Sequence, residues 1–210
     1  MMDIILLVCI LIVAYLLGSI PSAVCIGKWF YNVDVRKVGS GNSGATNTIR
    51  VLGLKAGIPV LLIDVFKAWL AVALAGWITS EILSTEDLIL FKMAAGALAV
   101  LGHVFPVFAG FRGGKGVASL VGVIIALYWP AFILVLLWFA IIFALTRYVS
   151  LASVTSALIF PFIVLYIFHE QSAPLIVLAF LIAVFVPITH RRNIGRLLRG
   201  EENKLDFKKK

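Results

Sequence analysis

Charge, cysteine and histidine are all scarce in this sequence. Charged residues make up 13% of its 210 residues, and it contains two cysteines and three histidines. The cysteines, Cys9 and Cys25, would lie about 24 Å apart along one helix, so they predict neither a disulfide framework nor a metal site. We therefore expect no metal and no cofactor.

Long apolar runs take the place of the missing charge. Hydrophobic residues make up 62% of the chain, and the mean hydropathy is +1.11. Several runs approach the length of about 20 residues that a helix needs to cross a bilayer. This predicts an all-α, polytopic membrane protein with a single domain over residues 1–210. The first run has no basic residues before it and exceeds the core of a signal peptide, so we expect it to remain as a spanning helix.

Seven transmembrane helices, with the N-terminus outside and the C-terminus in the cytoplasm, account for these runs. The predicted segments are Asp3–Ile26, Lys55–Thr79, Leu88–Ala109, Val117–Tyr128, Ala131–Thr146, Ser150–Phe168 and Ala173–Thr189. The fourth and fifth could instead form one helix, about 45 Å long. Charge favours two helices, because sixteen of the eighteen lysines and arginines then lie inside and none lies in an outer segment.

A six-helix arrangement would place Arg147 and the basic tail outside, against the positive-inside rule. We therefore predict a tight outer turn at residues 128–130. The same topology explains the net charge of +8, which in a soluble protein would suggest nucleic acid, so we expect no nucleic-acid partner. It also places every polar, glycine-rich stretch on the cytoplasmic side, where we expect the functional site.

The stretch from Gly39 to Arg50, Gly-Ser-Gly-Asn-Ser-Gly-Ala-Thr-Asn-Thr-Ile-Arg, is too polar for a lipid-facing helix. Glycine lets backbone N–H groups converge on an anion, Ser, Thr and Asn side chains add donors, and Arg50 can grip two phosphate oxygens. The stretch predicts a phosphate cradle. Taken alone, it is equally compatible with a tight turn that binds nothing.

A second glycine-rich loop surrounds Lys115 with Gly113, Gly114 and Gly116. A helix follows directly, and its N–H groups and positive dipole end favour phosphate. The loop is not a Walker A motif, because Ala109 stands where a glycine is needed and no magnesium-binding hydroxyl follows the lysine. The alternative is a flexible loop whose lysine is anchored at lipid headgroups.

Asp64, Lys67 and His103 are ionisable residues that lie inside apolar segments. Asp64 and Lys67 are three apart on one helix face, which favours a structural ion pair over a proton pathway. His103 precedes Pro106 near a helix end. This spacing favours a structural histidine that donates to a backbone carbonyl freed by the proline, although His103 could also orient the loop around Lys115.

The last apolar segment leads into a basic stretch. His190 and Asn193 are three apart and share a face if the helix continues. The alternative is a basic tail that binds lipid headgroups, which is favoured for Arg199 and for the lysines at 208–210. Ser150 and Ser153 open a helix, and N-capping accounts for both. Ser153 is nevertheless kept among the candidate substrate-binding residues.

Together these stretches resemble the bacterial acyl-phosphate:glycerol-3-phosphate acyltransferases, small membrane enzymes that make lysophosphatidic acid. The resemblance covers nearly the whole chain and rests on residues 18–23, 39–50, 102–118 and 190–202. Ser119 stands where the family pattern has threonine, and it keeps the hydroxyl.

The resemblance implies that an acyl phosphate, not a coenzyme A thioester, acylates the sn-1 hydroxyl of glycerol 3-phosphate at the cytoplasmic face of the bacterial inner membrane. The loop around Lys115 would hold glycerol phosphate, and Glu202 would be structural. Membrane lipid and an upstream enzyme that forms acyl phosphate are the expected partners. The candidate catalytic residues are Ser40, Asn42, Arg50, Lys115, His190 and Asn193, and the candidate substrate-binding residues are Gly41, Gly44, Thr46, Asn47, His103, Gly113, Gly114, Gly116 and Ser153.

The predicted mechanism is direct attack. An acyl phosphate already carries phosphate as its leaving group, so neutralising two anions and aligning the hydroxyl with the carbonyl can drive the reaction. The proton would pass to the acyl-phosphate oxygen or to His190, and a covalent acyl-enzyme on Ser40 is the alternative. The His-x4-Asp pairing of other glycerophosphate acyltransferases is absent from the sequence.

Two rival classes remain open. A transporter for a phosphorylated solute predicts an inverted repeat and a polar path through the membrane, whereas these motifs do not repeat and gather at one face. A non-catalytic binder of lipid headgroups would not need Ser, Asn and His clustered beside basic residues.

Overall fold

The computed structural model describes residues 2–206, which form helices and loops without a β-strand. The helices in this part of the chain are α1 (Met2–Gly18), α2 (Ser22–Tyr31), α3 (Ala45–Leu52), α4 (Leu54–Thr79), α5 (Thr85–Val104), α6 (Val117–Thr146), α7 (Val149–Phe162), α8 (Ala173–Thr189) and α9 (Arg191–Leu198). Short 3₁₀ turns occupy Val35–Lys37 and Val107–Ala109, and a π-helical turn occupies Ile163–Ile167. The lysines at 208–210, predicted to bind headgroups, lie outside the described residues.

The chain is an all-helical integral membrane protein, as its composition predicts. Within residues 2–206, four stretches are long and apolar enough to span a membrane, namely Leu54–Thr79, Thr85–Ala109, Val117–Thr146 and Val149–Ile167. Two bent pairs, α1 with α2 at 42° and α8 with α9 at 64°, raise the number to six if each pair is one span. The count of seven spans and the orientation of the termini stay predictions.

The predicted turn at residues 128–130 coincides with a break in α6. The helix is assigned continuously over Val117–Thr146, but the backbone of Tyr128 leaves helical geometry, with φ −152° and ψ 61°. Pro130 provides the reason, because its ring lacks an N–H and clashes with the preceding turn of a helix.

The first predicted segment, Asp3–Ile26, is wrong as a single helix. It divides into α1 and α2, with Pro21 between them. Pro21 has no N–H with which to continue the helical hydrogen bonding, and α2 then extends to Tyr31, five residues beyond the predicted end.

The chain divides into two compact units, of which the structure describes residues 2–127 and 128–206. In the first unit, α4 packs against α1, α2, α3 and α5, and α1 packs against α5. A Cβ on Gly102 would collide with the Tyr15 carbonyl and one on Gly18 with the Ala99 carbonyl, so glycine permits backbone contact between α1 and α5. The single domain over residues 1–210 stays a prediction.

The base of the first glycine-rich loop belongs to the core of the first unit. Val35, in the 3₁₀ turn that precedes the loop, is fully buried against Ala23 of α2 and Val60 of α4. This packing anchors the loop to two helices. In the second unit, α7 packs against α8, and α9 contacts both helices.

Candidate active site

Asn47 holds the first glycine-rich loop in shape. Its side chain is buried, and its Oδ1 accepts the backbone N–H of Ser40 at 2.8 Å. Its Nδ2 donates to the carbonyls of Val35 and Val38 at 2.9 and 3.2 Å. These bonds use both amide hydrogens and the oxygen, so Asn47 positions the loop. Direct binding of substrate by Asn47 stays a prediction.

The loop leads directly into the N-terminus of α3. Gly39 and Gly41 have φ of +63° and +72°, a conformation that favours glycine. The other predicted residues of this motif keep some solvent access: Ser40 and Gly41 are exposed, and Asn42, Gly44, Thr46 and Arg50 are half-buried. The motif therefore presents polar groups beside the start of a helix, as an anion site requires.

Gly113 and Gly114 dock the second loop onto the end of α5. The Gly113 N–H donates to the carbonyl of Val104, and the Gly114 N–H donates to that of His103, both at 3.1 Å. These carbonyls lie in the last turn of α5, where helical partners are missing. Both N–H groups therefore cap α5. Lys115 is half-buried and Gly116 is buried immediately before α6 begins at Val117.

His103 contacts a carboxylate rather than a carbonyl. Its Nδ1 lies 3.3 Å from Oδ1 of Asp64, and its side chain is only 6% exposed. The interpretation that His103 donates to a carbonyl freed by Pro106 is therefore wrong, because the glycine loop caps the carbonyls there. On its other edge, Nε2 lies so close to Gly114 that a Cβ on this glycine would collide with it.

The predicted ion pair of Asp64 and Lys67 is confirmed. Lys67 Nζ lies 2.8 Å from Asp64 Oδ1, and both side chains are buried. Ser22 donates its hydroxyl to the same carboxylate oxygen at 2.7 Å, and Lys67 also donates to the carbonyl of Ile20 at 2.8 Å. Paired and hydrogen-bonded in this way, the charges are tolerated within apolar helices.

Two hydrogen bonds join the two glycine-rich loops. Arg36 donates from Nη1 to the carbonyl of Ala109 at 2.9 Å, and Ser43 donates from Oγ to the carbonyl of Arg112 at 3.3 Å. Asp34 fixes the arginine through contacts of 3.0 Å to Nε and 2.8 Å to Nη2. The hydrogen bonds from Arg36 lower the pKa of Asp34 well below its usual range. The two motifs predicted to share a face therefore meet in the first unit.

Glu202 organises the polar cluster of the second unit. Its Oε1 accepts from the Ser150 hydroxyl at 2.8 Å and from Asn193 Nδ2 at 2.6 Å, and its Oε2 accepts from Arg196 Nε at 2.7 Å. Burial alone would raise the pKa of Glu202, but hydrogen bonds from Asn193, Arg196 and Ser150 outweigh it and lower the pKa. The contacts are those of a structural carboxylate, as predicted.

His190 lies at the bend of 64° between α8 and α9: the apolar helix ends at Thr189, and His190 is the N-cap residue of α9, whose first turn contains Asn193. His190 Nδ1 lies 2.9 Å from the carbonyl of Val186. A carbonyl only accepts, so Nδ1 donates a proton in this contact. Asn193 is buried, and its N–H donates to the His190 carbonyl at 2.8 Å.

The N-capping interpretation of Ser150 and Ser153 is wrong. Helix α7 begins at Val149, its N-cap residue is Tyr148, and no side chain caps it. Ser150 binds Glu202 instead, and the buried Ser153 donates to the carbonyl of Val149 at 2.9 Å. Substrate binding by Ser153 stays a prediction.

Three positioning residues of the first unit, Asp34, Arg36 and Ser43, were missed by the sequence reasoning. A signal was present, because an acidic and a basic residue two apart precede the first glycine of the motif. Their partners, however, include backbone carbonyls near residue 110, which sequence spacing does not reveal. Among residues 2–206, no group of three His, Cys, Asp or Glu residues could hold a metal ion.

Comparison with known proteins identifies the family. The family model described as glycerol-3-phosphate acyltransferase matches residues 8–200. A glycerol-3-phosphate acyltransferase of Fusobacterium nucleatum is 44% identical over 200 residues, covering 95% of this chain and 98% of that protein. One of Enterococcus faecalis is 45% identical over 208 residues, covering 96% and 93%.

Two solved structures share the fold. The crystal structure of PlsY, an integral membrane glycerol 3-phosphate acyltransferase, in its glycerol 3-phosphate form is 36% identical, with a TM-score of 0.82 and coverage of 95% of this chain and 96% of that one. The lysophosphatidic acid form is 34% identical, with a TM-score of 0.79 and coverage of 96% of each chain. The chain belongs to the glycerol-3-phosphate acyltransferase family.

Proposed function

We propose that this protein transfers the acyl group of a long-chain acyl phosphate to the sn-1 hydroxyl of glycerol 3-phosphate. The products are lysophosphatidic acid and inorganic phosphate, and the reaction is the first acylation of bacterial phospholipid synthesis, at the cytoplasmic face of the inner membrane. The names of its relatives support acyl transfer to glycerol 3-phosphate. The two similar crystal structures, a glycerol 3-phosphate form and a lysophosphatidic acid form, correspond to the acceptor and the product.

The joining of the two glycine-rich loops carries this proposal. Arg36 and Ser43 link the loop that leads to Arg50 with the loop that carries Lys115. Both substrates bear a phosphate, and a single phosphate-binding loop would bind only one of them. Two linked loops, each with its own cation and its own helix N-terminus, suit a reaction between two phosphate-bearing molecules.

We propose direct transfer between the substrates. The glycerol oxygen forms a bond to the acyl carbonyl carbon, and the bond from this carbon to the phosphate oxygen breaks. The electron pair leaves with phosphate, and the hydroxyl proton passes to an oxygen of the departing phosphate. Arg50 and Lys115 would neutralise the phosphates, which removes the repulsion between two anions and holds them in line.

The contacts of Ser40 favour this route over an acyl-enzyme. A serine nucleophile needs a base within hydrogen-bonding distance of its hydroxyl. The backbone N–H of Ser40 donates to Asn47, the residue is exposed, and none of the five residues on either side of it in sequence is a histidine or a carboxylate. Isolation of an acylated Ser40 after rapid quenching would refute direct transfer.

The test uses detergent-purified protein with labelled glycerol 3-phosphate, palmitoyl phosphate in one reaction and palmitoyl coenzyme A in another. We expect labelled lysophosphatidic acid and stoichiometric phosphate release in the first reaction only. Lys115→Ala protein prepared in parallel controls for host acyltransferases. If neither reaction gives product and reconstituted vesicles take up phosphate esters, the enzyme assignment is rejected and the protein is a transporter.

A second acceptor tests which hydroxyl of glycerol 3-phosphate is acylated. 1,3-Propanediol monophosphate lacks the central hydroxyl of glycerol 3-phosphate but keeps the terminal one. If transfer occurs at the sn-1 position, this analogue is acylated, and its failure to react while glycerol 3-phosphate reacts would contradict sn-1 transfer.

A further inference from the structure

A buried chain of contacts runs from the interior of the first unit to the second glycine-rich loop. Lys67 pairs with Asp64 at 2.8 Å, Asp64 faces His103 Nδ1 at 3.3 Å, and the opposite edge of the imidazole abuts Gly114. Asp64 is fully buried, and Lys67 and His103 are nearly so. This chain of contacts ends at Gly114, one residue before Lys115. A phosphate-binding role of the loop would not by itself require buried charges in the helices that support it.

The orientation of the imidazole is fixed by its partners. A carboxylate only accepts hydrogen bonds, so Nδ1 of His103 carries the proton that faces Asp64, and this contact holds the ring plane. Asp64 is held in turn by Lys67 and by the Ser22 hydroxyl, at 2.8 and 2.7 Å. Nε2 is thereby directed at the backbone of the loop rather than into the helix bundle.

His103 contacts Gly114 twice. Its carbonyl accepts the Gly114 N–H at 3.1 Å, and its ring fills the space that a Gly114 side chain would occupy. His103 thus holds Gly114 both by a hydrogen bond and by the steric contact of its ring. Glycine has the largest conformational freedom of any residue, so a loop with Gly113, Gly114 and Gly116 around its lysine needs external support to hold one shape.

We propose that His103, held by Asp64 and Lys67, is a positioning residue that fixes the loop around Lys115 in the shape that binds glycerol 3-phosphate. It acts through Gly114 and does not touch the reacting atoms. This inference rests on the proposed function for the identity of the ligand at Lys115. Loss of the support makes the loop mobile, and glycerol 3-phosphate must then order the loop when it binds.

The first test is His103→Gln, which removes the ring but keeps a polar side chain. We expect the KM for glycerol 3-phosphate to rise about tenfold, with kcat within about threefold, as for a displaced positioning group. The KM for palmitoyl phosphate should stay within about twofold. His169→Gln is the matched control, because His169 is exposed in the second unit and lies outside the proposed site.

Hydrogen–deuterium exchange gives a readout that does not depend on turnover. Amides of residues 113–116 should exchange faster in His103→Gln than in the wild type, whereas peptides of α8 should be unchanged. Lower folded yield with wild-type KM and wild-type exchange in the folded fraction would reduce His103 to a fold-stabilising residue and overturn the proposal.

The contact with Gly114 allows a coupling test. Gly114→Ala alone should raise the KM for glycerol 3-phosphate strongly, because the new Cβ meets the imidazole. His103→Ala removes the imidazole that the new Cβ would meet. The double variant should therefore have a KM for glycerol 3-phosphate less than about twofold above that of His103→Ala alone. Independent, multiplying effects would contradict the proposed contact. Gly195→Ala serves as the control, because a Cβ at this position would meet no atom outside its own helix backbone closer than Arg199 Nη1, at 3.5 Å.

The outcomes separate this inference from the proposed function. Wild-type protein without acyltransferase activity would reject the proposed function, and the exchange measurement would still decide whether His103 orders the loop. Active wild-type protein with an unaltered His103→Gln variant would reject the positioning role alone. If His103→Gln does not fold, Gly114→Ala provides the KM test with the buried ion pair intact.

Discussion

Arg50 and Lys115 are the two cations on which the proposed chemistry depends. Removing one partner of a desolvated charge pair costs about 2–5 kcal/mol. We therefore expect Arg50→Ala and Lys115→Ala each to lower kcat/KM by the factor that corresponds to a loss of about 2–5 kcal/mol of transition-state stabilisation. The measurement is steady-state kinetics on correctly inserted protein. Lys37→Ala, an exposed basic residue near the first loop, controls for net charge. Activity of either site variant within threefold of wild type would reject its role.

Asn47 contributes to stability rather than to charge neutralisation. Asn47→Ala breaks three hydrogen bonds and leaves the carbonyl of Val35 without this donor in a buried setting. The loss should cost about 1–3 kcal/mol of unfolding free energy. We expect a lower melting temperature in detergent, with Ser40→Ala unchanged because Ser40 is exposed. Equal melting temperatures for the two variants would contradict the role assigned to Asn47.

Helix α4 is the element around which the first unit packs. Its Asp64 binds Ser22 of α2 and faces His103 of α5, so a single carboxylate ties three helices together. Apolar segments alone would let these helices slide, because lipid is as apolar as their surfaces. The buried polar cluster fixes their register.

Asp64→Ala tests this assignment. Breaking a buried ion pair by removing one partner costs about 3–5 kcal/mol, because Lys67 is left as an uncompensated charge. We therefore expect a lower folded yield and a lower melting temperature, with exposed Glu81→Ala as the control. A normal melting temperature with lost turnover would instead assign Asp64 to the chemistry.

The topology of the whole chain rests on the break in α6. If residues 128–130 form an outer turn, a cysteine at Trp129 in a variant without Cys9 and Cys25 should react with a membrane-impermeant maleimide added outside intact cells. A cysteine at Lys204 should react only after permeabilisation. The six-helix arrangement makes the opposite prediction for Lys204 and buries residue 129 in the bilayer, so the pair of variants distinguishes the two.

The sequence determined the membrane class, most helices and the family. A helix in lipid must be apolar along its length, so apolar runs mark its bounds. Helix α8 begins at Ala173 and ends at Thr189 as predicted, and α4 begins at Leu54, one residue before its predicted start. The two loops proposed to bind phosphate were also visible, because glycine-rich polar loops stand out in an apolar chain. The break at Pro21 was not predicted, since hydropathy does not report where a helix bends.

The tertiary structure alone decided which polar residues support the loops. Asn47, Gly113 and Gly114 have the composition of phosphate ligands, yet their hydrogen bonds go to the backbone of the protein. His103 lies three residues before Pro106 in the sequence but contacts Asp64 of another helix. A hydrogen bond depends on distances of about 3 Å between groups that folding brings together, whereas a sequence specifies only which groups are available.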